Sequence, residues 1–231
     1  VTGDILPFDE VIPLAHQYGA KVLLDAAQVA GWWDFDIPKS GADMVAFAGH
    51  KGLQAPWGIG GLYVAPELEL NVTSAACQLT FDEATGNVLP PPSKPNWCDA
   101  GSVDRISLAG LAASVRWLRE PAQADRLAHA RRLATSVRER LVSIEQVTVF
   151  GHEAAEERMP TIAFTLADQS PTEVSQILQT QGIHVAAGLQ CAPLAHKALE
   201  TQPEGVLRIS FGPQSTSADA DQVIEAIRDL L

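Results

Sequence analysis

The sequence has few cysteines, few basic residues and no long apolar run. Its three cysteines are spread widely over 231 residues, so they fit neither a disulfide framework nor a zinc pattern. Lys and Arg total 16 against 28 Asp and Glu, and the net charge of -12 disfavours nucleic acid and anionic membranes as partners. We expect no membrane span and no signal peptide. These features predict a cytoplasmic protein without a metal site.

The glycine fingerprint of dinucleotide-binding folds is also missing. Gly58, Gly60 and Gly61 lie close together, but they lack the G-x-G-x-x-G spacing and the strand–loop–helix context that this fingerprint requires. The chain does contain 46% hydrophobic and 19% charged residues, which supports a sizeable core and argues against disorder. A folded protein is therefore expected, and a plain dinucleotide-binding domain is a weak interpretation.

Two short apolar runs within residues 22–64 end in polar side chains. The first run ends in Asp25 and is followed by Gln28, and the second leads into His50 and Lys51. Short apolar runs bounded by turn residues are typical of buried parallel strands. Ligands bind at the carboxyl ends of such strands. We therefore expect a carboxylate, an amide, an imidazole and an amine to converge on one crevice.

These four groups have the chemistry that a pyridoxal phosphate site needs. A lysine becomes a nucleophile when desolvation or a neighbouring positive charge lowers its pKa, and Lys51 follows both an apolar strand and His50. A carboxylate such as Asp25 can keep a pyridine nitrogen protonated, and the amide of Gln28 can donate to a phenolate oxygen. The alternative is that Asp25 and Lys51 simply end two structural strands.

Three motifs resemble one known group of enzymes. DAAQVAG (residues 25–31) and FAGHKGLQAPWGIGGLYV (47–64) resemble the cofactor-binding core of class V aminotransferase-like, fold-type I pyridoxal phosphate enzymes. AGLQCAPLAHKALETQPEGVLRISFG (187–212) resembles the cysteine desulfurase and selenocysteine lyase group within them. The resemblance implies pyridoxal 5'-phosphate as the cofactor, with four residues in contact with it. These are Lys51 for the covalent link, Asp25 for the pyridine nitrogen, Gln28 for the ring hydroxyl and His50 for the phosphate.

The same resemblance assigns roles to three further residues. Cys191 would attack the sulfur of cofactor-bound cysteine, although a lone cysteine can also be structural. Arg208 would hold the substrate carboxylate, a task to which a planar guanidinium is suited. Ser102 would reach the cofactor phosphate of the other subunit, or it would only cap a helix. Asp104 stands where the family turn has an amide.

The chain departs from the family pattern at four other positions. Ala186 and Gln190 replace an Arg and a His before the cysteine, Ala48 replaces a phosphate-binding hydroxyl, and Ser215 replaces an Asn. Each lost charge-assisted contact costs about 1.5–3 kcal/mol. These departures are expected to affect substrate and cofactor binding more than the lysine site itself.

The predicted fold is α/β. Residues 1–100 are expected to form part of a fold-type I large domain with a mostly parallel sheet, and residues 101–231 a smaller α+β domain that carries the cysteine loop. The abrupt start predicts that a large N-terminal part is missing, is supplied by another chain, or never existed. Hydrophobic periodicity predicts helices over 8–18, 106–119, 122–143, 171–181 and 217–231. It predicts strands that end at 25 and 47 and strands that cover 61–64, 147–150, 161–166, 183–186 and 206–210. Residues 67–95 are expected to form an irregular connection.

The sequence therefore predicts a cysteine desulfurase-like enzyme that converts L-cysteine to alanine and leaves a persulfide on the protein. A homodimer with a sulfur-acceptor partner protein is expected from the resemblance. The alternatives are another class V reaction (selenocysteine lysis, transamination or epimerisation), a non-catalytic fragment, or one half of a split complex.

Overall fold

The computed structural model describes residues 1–33, 36–70, 80–89 and 102–231. The chain forms two compact units, one of residues 8–120 and the other of residues 1–7 together with 121–231. Residues 102–120 therefore group with the first unit, whereas the sequence analysis placed them in the C-terminal domain. In the part of the chain that is described, no helix is both long and apolar enough to cross a bilayer.

The first unit contains a mixed three-stranded sheet, a two-stranded hairpin and three helices among its described residues. Its elements are α1 (Phe8–Gln17), β1 (Leu23–Asp25), α2 (Ile37–Ser40), β2 (Met44–Ala48), β3 (Gly60–Val64), β4 (Thr80–Asp82), β5 (Asn87–Leu89) and α3 (Arg105–Leu118). The hairpin β4–β5 lies inside the connection that was predicted to be irregular, so that prediction was wrong there. Its turn ends at Gly86, whose φ of 71° needs the left-handed conformation that glycine adopts easily.

Strands β1 and β2 are parallel, as the sequence predicted, and β3 runs antiparallel to β2. Alternation of side chains along the strands places Leu24, Val45 and Tyr63 on one face, where they pack with Ile12 of α1. Asp25, the last residue of β1, lies opposite Ala46 of β2. This register brings the carboxyl end of β1 beside the part of β2 that leads to Lys51.

One buried carboxylate ties the amino-terminal end of this sheet to α1. Asp43 is only 6% exposed, and its Oδ2 accepts hydrogen bonds from the backbone N–H of Val22 and from Nε2 of His16, both at 2.8 Å. Its Oδ1 accepts from Nζ of Lys21 at 3.0 Å. The hydrogen bonds from Val22 and His16 hold the pKa of Asp43 well below its usual range. The ionised carboxylate therefore links the last turn of α1 to the starts of β1 and β2.

We expect acid to weaken this unit partly through Asp43. Because its pKa is lower in the folded than in the unfolded protein, its stabilisation is complete above about pH 4 and is lost as the pH falls further. Asp43→Asn should lower the free energy of unfolding at neutral pH by about 1–3 kcal/mol and make the loss of stability below about pH 4 less steep. Denaturant unfolding at several pH values measures both effects. The exposed Asp9→Asn is the control, and equal behaviour of the two variants would contradict the assignment.

The second unit is an α+β module around an antiparallel sheet with strand order β6-β7-β9-β8. Its elements are α4 (Arg126–Val142), β6 (Val147–Phe150), β7 (Thr161–Leu166), α5 (Pro171–Thr180), β8 (Ala186–Gly188), α6 (Pro193–Ala198), β9 (Val206–Ser210) and α7 (Ser217–Arg228). Phe164 of β7, Leu141 of α4 and Ile224 of α7 are fully buried in its core. The predicted strand over 183–186 was wrong in position, since the strand pairing with β9 begins only at Ala186.

Candidate active site

The carboxyl ends of β1 and β2 carry the polar side chains that the sequence singled out. Asp25 ends β1, and β2 is followed directly by Gly49, His50 and Lys51. The backbone N–H of Ala26 donates to the carbonyl of Ala46 at 2.8 Å, which continues the parallel pairing past the end of β1. The structure therefore places Asp25, Gln28, His50 and Lys51 on the two segments that leave the same edge of the sheet.

The carboxylate of Asp25 is oriented by its own turn. Its Oδ1 accepts a hydrogen bond from the backbone N–H of Ala27 at 2.9 Å, while its Oδ2 has no partner among the described residues. Asp25 and Gln28 are both exposed. One carboxylate oxygen and one amide thus remain available to a ligand at this edge.

The two segments are held together by glycines at the point of closest approach. A Cβ on Gly52, next to Lys51, would lie 2.5 Å from the carbonyl oxygen of Ala30 and 2.3 Å from Cδ1 of Trp32. A Cβ on Gly31 would lie 2.3 Å from the carbonyl oxygen of Gly52, and the φ of Gly31 is +85°. Only glycine fits such contacts. The backbone of the Lys51 loop therefore packs directly against the segment that follows Asp25.

His50 stacks on an exposed tryptophan. The ring centroids of His50 and Trp57 are 4.6 Å apart and the rings are inclined by 12°. His50 is half-buried, and neither of its ring nitrogens has a hydrogen-bond partner among the residues that the structure describes. Both nitrogens therefore remain available in the plane of the ring. No role was assigned to Trp57 from the sequence, because a contact between two rings within an irregular loop leaves no periodic pattern in the sequence.

Lys51 is exposed in this structure. Desolvation or a neighbouring positive charge was expected to activate the amine, but the described residues do not bury it. The backbone carbonyl of Lys51 accepts from the N–H of Gln54 at 2.8 Å, so the main chain is ordered into a turn while the side chain remains free. Any desolvation of the amine must come from a bound ligand or from protein surface outside the described residues.

Ser102 lies at the start of α3, but it is not the cap of that helix. Asp104 is the N-cap, because its side chain accepts from the backbone N–H groups of Ile106 and Ser107. The hydrogen bond from the Ser107 hydroxyl lowers the pKa of Asp104 most, and the hydrogen bonds from these backbone groups lower it further. The interpretation of Ser102 as a helix cap was therefore wrong, and its exposed hydroxyl is free of that role. Asp104, which replaces the amide of the family turn, has the structural role instead.

In the second unit, Cys191 lies on a short strained turn between β8 and α6. Its thiol is free and the residue is exposed. Cys191 and Gln190 have φ values of 62° and 43°, a left-handed conformation that costs a non-glycine residue about 1–2 kcal/mol. The side-chain amide of Gln190 donates to the carbonyl of Val206 at 3.0 Å and holds the turn on β9. The turn thus presents the thiol outward on a fixed backbone.

Arg208 lies on β9 between two alanines. Ala163 of β7 and Ala186 of β8 are its neighbours across the sheet, so small side chains flank the guanidinium. Its Nε is buried and has no hydrogen-bond partner among the described residues. A buried donor without an acceptor is costly. An anionic ligand such as a carboxylate would supply the missing acceptor.

The structure thus brings the predicted residues together in two groups. Asp25, Gln28, His50 and Lys51 share one edge in the first unit, which also contains Ser102. In the second unit, Arg208 lies on β9 opposite the start of β8, and Cys191 lies on the turn that follows the end of β8. Within the described residues there is no group of three or more His, Cys, Asp or Glu that could hold a metal ion. The chemistry available is that of an amine, a carboxylate, an imidazole, a thiol and a guanidinium.

Comparison with known proteins gives a consistent result. The family described as Aminotransferase class-V matches residues 1–223. A probable cysteine desulfurase of Streptomyces coelicolor is 32% identical over 232 residues, which cover 98% of this chain and 54% of that protein. A probable cysteine desulfurase of Mycolicibacterium paratuberculosis is 31% identical over 230 residues, 98% of this chain and 32% of that protein.

Solved structures of cysteine desulfurases have the same fold. The apo enzyme from Thermococcus onnurineus superposes with a TM-score of 0.88 and 25% identity over 99% of this chain and 56% of that one. The S-sulfonic acid form of CsdA from Escherichia coli gives a TM-score of 0.83 and 26% identity. The α/β architecture is therefore that of fold-type I, and the chain spans about half or less of the length of these relatives. Because the family match covers nearly all of its residues, the chain belongs to the class-V aminotransferase family.

Proposed function

We propose that the protein is a pyridoxal phosphate-dependent cysteine desulfurase that converts L-cysteine to L-alanine. The observation that carries the proposal is the parallel register of β1 and β2, which sets Asp25 and the loop of Lys51 at one edge of the sheet. Class V aminotransferases and cysteine desulfurases depend on this cofactor, and the relatives named above are of this kind. Because the chain spans only part of those relatives, the activity is proposed for the assembled enzyme.

The side chains at this edge fit the cofactor in charge and hydrogen bonding. The free Oδ2 of Asp25 would accept from the protonated pyridine nitrogen, and Gln28 would donate to the ring hydroxyl oxygen. The unpartnered imidazole of His50 would donate to the phosphate, and the amine of Lys51 would bind the aldehyde carbon. Ser102 would supply a hydroxyl to the cofactor phosphate of the other subunit. When bound, the cofactor supplies an electron sink at the substrate α-carbon.

Lys51 and Asp25 would then have distinct tasks in the reaction. The amine of Lys51, released when the substrate amine replaces it, would move the proton of the substrate α-carbon. The negative charge of Asp25 would keep the ring nitrogen protonated throughout. Both tasks require a dry site, whereas Lys51 is exposed to solvent in the part of the chain that is described.

Further polypeptide would complete this site. Leu23 and Leu62 lie on the same face of the first sheet, opposite the core, and are 49% and 48% exposed. A sheet with parallel strands is normally covered on both faces. We propose that a second copy of the chain or a further segment covers this face and desolvates the amine, which agrees with the homodimer expected from the sequence. A split enzyme, with the cover on a separate polypeptide, is the alternative that this open face favours.

Cys191 would accept the sulfur. Its thiolate attacks the sulfur of the bound substrate, an S–S bond forms, and the substrate C–S bond breaks with its electron pair remaining on the substrate β-carbon, which then takes up a proton. The sum is L-cysteine plus protein thiol giving L-alanine plus protein persulfide, so no external oxidant or reductant is needed. Arg208, with its unpartnered Nε, would bind the substrate carboxylate. A thiol or a sulfur-acceptor protein would then remove the terminal sulfur, as suits a reducing cytoplasm.

Product analysis tests this function. Incubation of the protein with L-cysteine and excess dithiothreitol should release alanine and sulfide in equal amounts. A keto acid product would indicate transamination, D-cysteine would indicate epimerisation, and turnover of selenocysteine alone would indicate a lyase. Any of these three results, without alanine from cysteine, would overturn the desulfurase assignment while keeping the protein in its family.

A further inference from the structure

Trp57 is an exposed aromatic side chain in the loop that follows Lys51, and it is not part of the core. It is 80% exposed, so burial of its apolar surface contributes little to folding. Its indole nevertheless has a defined position, parallel to the imidazole of His50 at 4.6 Å. Because this ring is stacked on the imidazole of a proposed site residue, it can act on that residue directly.

The backbone of Trp57 is held in place by helix α3. The Ser107 hydroxyl lies 3.0 Å from the carbonyl oxygen of Trp57 and 2.6 Å from Oδ2 of Asp104, and it shares its proton between the two. Ser107 itself is buried, at 5% exposure. Next to Trp57, the ring of Pro56 lies against the backbone of Gly110, where a Cβ would meet Pro56 Cγ at 2.4 Å. The loop therefore offers the indole a rigid base.

The imidazole of His50 has no comparable anchor of its own. Neither ring nitrogen is hydrogen-bonded to any residue that the structure describes, so the stack with Trp57 is the contact that sets the plane of the ring. Stacking uses the face of an imidazole, whereas its N–H groups donate within the ring plane. The arrangement fixes the direction of donation and leaves both nitrogens free for an anionic oxygen.

We propose that Trp57 is a positioning residue that holds the imidazole of His50 in the plane in which it donates to a phosphate monoester beside Lys51. The inference rests on the function proposed above, because the phosphate is that of the cofactor. An aromatic pair of this kind contributes roughly enough to change an affinity two- to tenfold. The effect should appear only for ligands that carry the phosphate.

Two ligands separate this role from a structural one. Pyridoxal phosphate and pyridoxal share the ring and the aldehyde, but only the former has the phosphate. Trp57→Ala should weaken pyridoxal phosphate binding about two- to tenfold and leave pyridoxal binding unchanged, and Trp57→Phe should restore most of the affinity. Phe81→Ala removes another exposed aromatic of the same unit (66% exposed) and should behave as the wild type. Absorbance titration measures all of these affinities.

A double-mutant cycle and a spectroscopic measurement complete the test. If Trp57 acts through His50, then Trp57→Ala should have no further effect in a His50→Ala background. The NMR signals of the His50 ring protons should also move downfield in Trp57→Ala, because the indole ring current is lost. Equal loss of both ligands, loss of neither, or additive effects in the cycle would overturn the inference. If the wild type binds neither ligand, the proposed function itself fails, and the inference fails with it.

Discussion

Replacing Lys51 with alanine should abolish the visible absorbance of the protein incubated with pyridoxal phosphate, and should lower the rate of alanine formation at least about a thousandfold. The reason is that Lys51 would supply both the covalent link to the cofactor and the proton transfer at the substrate α-carbon, and general acid–base catalysis alone is worth about 10²–10⁴-fold. Absorbance spectra after gel filtration and product analysis measure the two effects.

The control for this variant is another exposed lysine. Lys39 forms an exposed ion pair with Asp36 at 3.0 Å, so Lys39→Ala changes the charge equally without touching the strand end. It should retain both colour and activity. Full colour in Lys51→Ala, or its loss in Lys39→Ala, would contradict the role given to Lys51.

Replacing Cys191 with alanine should abolish alanine formation from cysteine while the visible absorbance is retained. In the proposed reaction the thiol would take up sulfur without contacting the cofactor, so the two readouts should separate, with at least about a thousandfold loss of rate. Mass spectrometry should find the persulfide on the peptide that contains Cys191.

Cys77→Ala and Cys98→Ala are the matched controls, since no role is proposed for these two cysteines, which lie outside the described residues. Each should retain full activity. If Cys191→Ala still forms alanine at the wild-type rate, the sulfur chemistry does not depend on this thiol. In that case the role proposed for Cys191 fails, while the desulfurase assignment rests on the alanine product.

Much of this fold follows from local patterns in the sequence. The apolar runs that end at Asp25 and lead to Lys51 do form adjacent parallel strands, as is typical of short apolar runs bounded by turn residues, although β1 is less buried than expected. The predicted strands over 147–150, 161–166 and 206–210 match the observed bounds, since each combines β-branched residues with flanking turn residues. The helices are also confirmed, with ends that differ by a few residues.

Other features depend on contacts that a local pattern does not contain. The run from Ile183 to Val185 has strand propensity, yet pairing with β9 starts at Ala186, because the partner strand decides the register. The cap of α3 is Asp104 rather than Ser102, and both residue types are good caps. The signal that was available for the β4–β5 hairpin was a glycine closing a short polar turn, within a segment that contains several prolines.

In the site, too, some features follow from local sequence patterns and others depend on contacts between distant parts of the chain. The identity of its polar residues could be read from the sequence, because each follows an apolar strand at the edge where ligands bind. The Gly31–Gly52 contact and the stack of His50 on Trp57 could not, since they depend on how two loops meet in space. The exposure of Lys51 was also not foreseen, because burial at a strand end depends on what covers the sheet.

The most direct test of the central claim is to locate the lysine that carries the cofactor. The protein is incubated with pyridoxal phosphate, reduced with borohydride and digested, and the peptides are mapped by mass spectrometry. The account predicts a single stoichiometric adduct on the peptide that contains Lys51. An adduct on Lys21, Lys39, Lys94 or Lys197 instead, or no adduct at all, would contradict it.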